Sequence, residues 1–176
     1  YTVMFIPESL GDAGYPYVLV QRVAAPFWRA NPEELESSFD AIPVEQVAKD
    51  AKEKFGDVVN GLTLDRPVFD RSSFQIFART RVDLGSSGTV DGWTRGYIGN
   101  EALIQLCFYT RELEAKQTLP LFNELASTFM FERGFAYDGT RAVPSGFDWK
   151  QLAMCAVLGG VCGLVIWGVK RKASGF

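Results

Sequence analysis

The chain has no histidine. That absence removes the commonest general base, the commonest zinc ligand and the commonest haem ligand together. Cysteine is scarce too. Cys107, Cys155 and Cys162 are all there is, and the last two fall inside one apolar stretch near the end. The rest of the chain therefore has a single thiol, too few for a disulfide framework or a cysteine-rich metal site. Acidic residues stop at Asp148, so the chain before Lys150 is more acidic than the net charge of −3 suggests. No stripe of basic residues appears there, which argues against nucleic acid as a partner. At 47% hydrophobic and 22% charged, the 176 residues have the composition of a folded domain with an appendage rather than of a disordered chain.

The appendage is the stretch LAMCAVLGGVCGLVIWGV, residues 152–169, which carries no charge. As a helix it would measure about 27 Å at 1.5 Å per residue, enough for a short bilayer span. It is apolar on every side, unlike a surface helix. Trp149 and Trp167 stand near its ends, where amphipathic rings favour the headgroup zone. Lys150 can snorkel outward, and Lys170, Arg171 and Lys172 end the span. Small residues recur at helical spacing: Gly159 and Gly163 form GxxxG, Ala156 and Gly160 form a second pair, and Cys155 lies one turn before Gly159. Such a face lets another helix approach closely, so it points to a membrane partner. The organisation expected is a globular domain over 1–134, a linker over 135–149, a transmembrane helix over 150–170 and a short basic tail over 171–176. The positive-inside rule places the tail in the cytoplasm or stroma and the domain in the periplasm or a lumen. A tail-anchored arrangement, with the domain in the cytosol, fits the seven residues after the span as well.

In the body, YTVMFIP and AGYPYVLVQRVAA (13–25) read as neighbouring strand segments, the second rich in Tyr and Val. Asn31 before Pro32-Glu33-Glu34 marks a short helix reaching about Phe39. A second helix starts at Pro43, with Val44, Val47, Ala48, Ala51 and Phe55 on one stripe and Gly56 as its stop. SFQIFARTRVDL (73–84) alternates as a strand, GSSGTVDG (85–92) reads as a loop, and residues 92–100 and 101–112 read as two strands joined at Gly99-Asn100. In the last of these Leu103, Gln105, Cys107 and Tyr109 share one face while Ile104, Leu106 and Phe108 share the other, the pattern of a central strand covered by helix. Leu119, Leu121, Phe122, Leu125 and Phe129 make a helical stripe, and FMFE turns into a last short strand. Helices set against an antiparallel sheet make an α+β fold.

No chemistry-bearing motif emerges. The LGSSG loop lacks the GK[ST] ending of a phosphate-binding loop. Asp83 and Asp91 lack the spacing of a calcium loop and read as solvated. Glu33, Glu34 and Glu36, and likewise Glu112 and Glu114, read as exposed turns and helix starts. Serine or cysteine nucleophiles would need a lysine base that no motif marks. Phe27 and Trp28 make an aromatic spot between Pro26 and Arg29, either core cover or a partner contact. No cofactor site and no enzyme activity is expected.

The stretch GWTRGYIGNEALIQLCFYTRELEAKQTLPLFNELASTFMFE resembles the C-terminal half of PsbP/DcrB-like domains, and RANPEELESSF resembles their first helix. The likeness covers about Tyr17 to Glu132. It implies an α-β-α sandwich on an antiparallel sheet, without catalysis, that assists membrane complexes such as photosystem II from the periplasm or thylakoid lumen. The apolar C-terminal segment departs from that family, whose members are mostly soluble or lipid-anchored. The function expected is an accessory subunit that stabilises or helps assemble a large photosynthetic or respiratory membrane complex. The alternative is a tail-anchored cytosolic adaptor or small-ligand sensor.

Overall fold

The computed structural model describes residues 2–5, 15–24, 36–37, 39–55 and 59–137. They form one antiparallel sheet with a helix packed on each face, an α+β fold. In chain order the elements are β1 (Thr2–Phe5), β2 (Tyr17–Ala24), α1 (Val44–Phe55), β3 (Gly61–Leu64), β4 (Val68–Asp70), β5 (Gln75–Asp83), β6 (Thr89–Ile98), β7 (Ala102–Arg111) and α2 (Ala115–Ser127). Across the sheet the order is β1-β2-β7-β6-β5-β3, and β4 shares the outer edge of β5 with β3.

β7 lies at the centre, and its alternation sorts the core into two layers. Leu103, Cys107 and Tyr109 face α1, where they join Ile76, Ala78, Val82, Ile98 and Tyr17. Phe39, Ile42 and Val44 close that layer from the α1 side. Leu106 and Phe108 face α2, together with Val18 and Tyr97. There Phe122 stacks on Phe108 at 4.9 Å, and the Tyr97 hydroxyl donates to the Ala126 carbonyl at 2.5 Å. Gly92 is required by the first layer: a Cβ on it would stand 2.6 Å from the Thr80 hydroxyl and 3.1 Å from the Tyr109 ring.

Several sequence expectations are corrected. β3 and β4 have no counterpart in them. They are four and three residues long, and the break at Asp65-Arg66-Pro67 hides a continuous edge, since proline can sit only where the ladder needs no donor. The loop after β5 is shorter than expected. A 3-10 turn at Gly85–Ser87, with Gly85 and Gly88 at positive φ, closes the β5–β6 hairpin, and β6 already begins at Thr89. Asp91 is accordingly inside a strand and buried, not a solvated loop residue. Phe74 falls in a turn with φ 52 rather than in β5. The β6–β7 turn centres on Asn100 and Glu101, bridged by the Gly99 amide donating to the Ala102 carbonyl at 2.9 Å. Among the described residues no strand follows α2; the segment after it makes one isolated bridge, Gly99 with Ala136. Tyr137, expected in the linker, is buried against Phe74 at 5.0 Å between ring centres, so the packed unit reaches at least that residue. In α1, Val44, Val47 and Ala48 are half-buried as their stripe implies, while the side chains of Ala51 and Phe55 and all of Gly56 lie outside what is described.

Cys107 reports on this core. It is fully buried, accepts a long hydrogen bond from Thr94 at 3.7 Å, and its thiol is pushed up to about 11 by burial. A raised thiol pKa keeps the unreactive protonated form well above neutrality. In a Cys155→Ser/Cys162→Ser variant, a disulfide reagent at pH 8 should find no thiol in the native protein and one in denaturant. Rapid native labelling would show that the β6–β7 core opens.

Candidate functional site

The α2 face of the sheet is the candidate. α2 presents Leu119, Phe122, Ala126 and the following Phe129 to the sheet, a stripe at spacings of three and four. Leu121 and Leu125, expected in the same stripe, instead point to one side of it. They are 66% and 48% exposed. Pro120 also lies on the exposed side of the helix, so the carbonyl that its ring leaves without an amide partner is one turn back on the exposed Lys116.

Between α2 and the β1 edge no described element covers the sheet. Val3 and Phe5 of β1 pair in register with Val20 and Val18 of β2, so all four look to the α2 side. Phe5 is 57% exposed and Val3 is 50% exposed. A cavity of about 300 Å³ lies here, lined by Phe5, Val18, Phe108, Leu121 and Leu125. Farther along β2 a second cavity of about 450 Å³ is lined by Val20, Ile104, Phe129, Met130, Phe131 and Phe135. Met130 is 84% exposed. Together they make an apolar groove along β2. Among the described residues its charged lining groups are Arg22, Glu101 and Glu132, all in the second cavity.

The wall after α2 is held firmly. The Asn100 side-chain amide donates to the Gly134 carbonyl at 2.8 Å, and its backbone amide donates to the Phe135 carbonyl at 2.8 Å. Phe129 packs on Tyr97 at 4.3 Å and on Phe131 at 5.2 Å. Gly99 leaves the space for this wall, since a Cβ there would lie 2.8 Å from the Phe131 ring. These contacts tie the wall to the β6–β7 turn and to the sheet beneath it.

On the other side of α2 the sheet face is polar. Asp91, at 1% exposed, accepts two hydrogen bonds from Arg79 at 3.1 Å and one from Arg81 at 3.3 Å. Arg79 stacks over Trp93 at 4.6 Å and reaches Asp65 at 3.8 Å; Arg81 reaches Glu112 at 3.7 Å. A buried carboxylate held by two guanidinium groups is a structural clamp between β5 and β6. The calcium alternative for Asp83 and Asp91 finds no support: Asp91 is used up by arginine, and Asp83 accepts from the Gly85 amide at 2.8 Å in the hairpin turn. Among the described residues no group of three or more His, Cys, Asp or Glu is placed to hold a metal.

Phe27 and Trp28, the small-residue face of Cys155, Ala156, Gly159, Gly160 and Gly163, and the interface set of Trp149, Lys150, Trp167, Lys170, Arg171 and Lys172 all lie outside the described residues. Among the described residues no helix is long and apolar enough to cross a membrane. The groove itself was missed by periodicity. Its only signal is that the apolar stripe of α2 is wider than one sheet face can bury.

Asp91→Asn tests the clamp. It leaves two guanidinium groups facing a neutral amide in a buried position. Breaking a fully buried pair costs about 3–5 kcal/mol, and the partial exposure of both arginines lowers the expectation to roughly 2–3 kcal/mol of unfolding free energy. Urea titration followed by tryptophan fluorescence would measure it. A loss below about 0.5 kcal/mol, the scale of an ordinary surface substitution, would mean that Asp91 is not the clamp.

No family model matches the chain, and no curated protein does. A solved structure of a protein of unknown function, PA94 from Pseudomonas aeruginosa, is similar at a TM-score of 0.45 and 12% identity, over 75% of this chain and 83% of that one.

Proposed function

We propose that the chain is a non-catalytic, single-span accessory subunit of a large membrane complex, photosynthetic or respiratory, with a PsbP/DcrB-like body. The observation that carries this reading is the open apolar face beside α2. Phe5, Leu121, Leu125 and Met130 are each about half exposed or more and lie along one groove. A contiguous apolar patch rimmed by charge marks a protein contact surface. The helix-sheet-helix layering and the spacing of residues 92–132 support the likeness to PsbP/DcrB-like domains. The uncharged segment 152–169 supplies the membrane span, and its face of Cys155, Ala156, Gly159, Gly160 and Gly163 supplies a helix contact inside the bilayer. The basic cluster Lys170-Arg171-Lys172 puts the short tail on the cytoplasmic or stromal side and the body on the other.

Two membrane experiments check the proposal. In native membranes the protein should co-migrate with a large assembly. Leu121→Glu with Leu125→Glu, or Gly159→Leu with Gly163→Leu, should each release it from that assembly without releasing it from the membrane. Full co-migration of both double variants would overturn the subunit reading. In sealed vesicles with the cytoplasmic side outward, added protease should spare the body; its digestion would favour the tail-anchored adaptor.

A further inference from the structure

On the β5 side of α2 the arginine cover leaves another cavity, of about 260 Å³, between sheet and helix. Its floor is a square of four side chains. Arg79 pairs in register with Trp93, and Phe77 with Arg95. The two pairs are two residues apart along each strand, so all four side chains look to the same face. Guanidinium and ring alternate around the square: Arg79 lies over Trp93 at 4.6 Å and Arg95 over Phe77 at 5.0 Å. The two arginines therefore occupy one diagonal, about 7–8 Å apart where they leave the backbone. Leu119 and Phe122 of α2 form the roof, and Asp65 and Arg66 line the outer edge.

Hydrogen bonding around this square lacks acceptors. Arg79 gives its Nη2 to Asp91, but its buried Nε meets no protein acceptor, and neither does the buried Nε1 of Trp93. Arg66 is bound by Asp40 at 2.6 Å, and Asp65 stands 3.8 Å from Arg79. Among the described residues Arg95 has no acid partner; it lies over Phe77 and interacts with the Tyr97 hydroxyl. Buried donors left unpaired are costly, and an acceptor removes the cost. The ligand chemistry that meets this lining is an anion with acceptors and no donors, carrying an apolar body for the aromatic walls. Asp65 repels such an anion at the outer edge, which leaves its place by Arg95. Size narrows the class further. An apolar cavity of about 150 Å³ holds a benzene ring. A cavity of about 260 Å³ has room for one ring and a carboxylate.

We propose that this cavity binds a small aromatic carboxylate. Arg95 and the unpaired N–H groups of Arg79 and Trp93 hold the carboxylate, and the ring lies under Leu119 and Phe122. This goes beyond the subunit reading and needs neither the membrane span nor the groove along β2.

Benzoate is the probe, titrated near pH 7 into the full chain and followed by calorimetry. One benzoate per chain should bind, with a dissociation constant on the order of 1 mM or below. Benzamide has the shape without the charge, and acetate has the charge without the ring; each should bind about tenfold more weakly or worse. Arg95→Gln should weaken benzoate by about tenfold or more. Trp93→Phe keeps a ring and removes the N–H, for a loss of about threefold to tenfold. Lys49→Gln removes the same charge from an exposed position on α1, across the sheet, and should leave the affinity unchanged. Asn123 is exposed on α2 and lines the cavity, so Asn123→Trp should obstruct it without touching the core, which keeps the test open if Arg95→Gln does not fold.

An absence of saturable benzoate binding up to about 10 mM would overturn the site. So would acetate or benzamide binding as well as benzoate, and so would full affinity in Asn123→Trp together with a folded Arg95→Gln. None of these readouts involves co-migration in native membranes, so a failure here and a failure of the subunit reading are separable.

Discussion

β7 is buried on both faces, and the rest of the fold follows from that. A strand with Leu103, Cys107 and Tyr109 on one side and Leu106 and Phe108 on the other needs an apolar layer above and below. The chain supplies one from the segment between β2 and β3, through Phe39, Ile42 and α1, and the other from α2. The two layers are unequal. The α1 side collects most of the fully buried side chains, whereas the α2 side rests on one helix and the aromatic segment behind it. A helix with its side chains is about 10–12 Å wide, and five strand spacings at about 4.8 Å make a sheet of roughly 24 Å. One helix cannot cover such a sheet, so among the described residues a strip on each side of α2 is left without helical cover.

The two strips are finished in different ways. Toward β5 the strip is closed chemically: Asp91 binds Arg79 and Arg81, Arg79 lies flat on Trp93, and Arg95 lies over Phe77 at 5.0 Å. Guanidinium groups suit this position because their planes cover aromatic surface while their edges stay hydrogen-bonded. Toward β1 the strip receives no such cover. Val3, Phe5, Leu121 and Leu125 stay in contact with solvent, although the same arginine-on-aromatic device is used a few strands away. The two strips differ because β5 and β6 present arginines to theirs, whereas β1 and α2 present Val3, Phe5, Leu121 and Leu125.

Much of the frame was legible from local pattern. The alternation of β5, β6 and β7 and the spacing of α1 and α2 gave element type and order, because period two and period 3.6 are written in neighbouring residues. What failed depended on distant pairing. β3 and β4 are strands only because β5 offers them an edge. Asp91 looks like a loop acid until β5 brings two arginines against it. The stripe of α2 was legible, but its division into buried Phe122 and exposed Leu121 and Leu125 was not. That division depends on where the sheet ends beneath the helix, and no local period encodes it. The groove escaped for the same reason.

The distribution of charge completes the physical picture. Every acidic residue precedes Lys150, and three of the four basic residues from Lys150 onward follow the uncharged segment. Among the described residues the one buried acid, Asp91, is neutralised where it stands by Arg79 and Arg81. The rest of the negative charge of the described body is left at its surface, where water and salt screen it. The acidic balance therefore shapes the exterior and leaves the packing of the two core layers to apolar contacts.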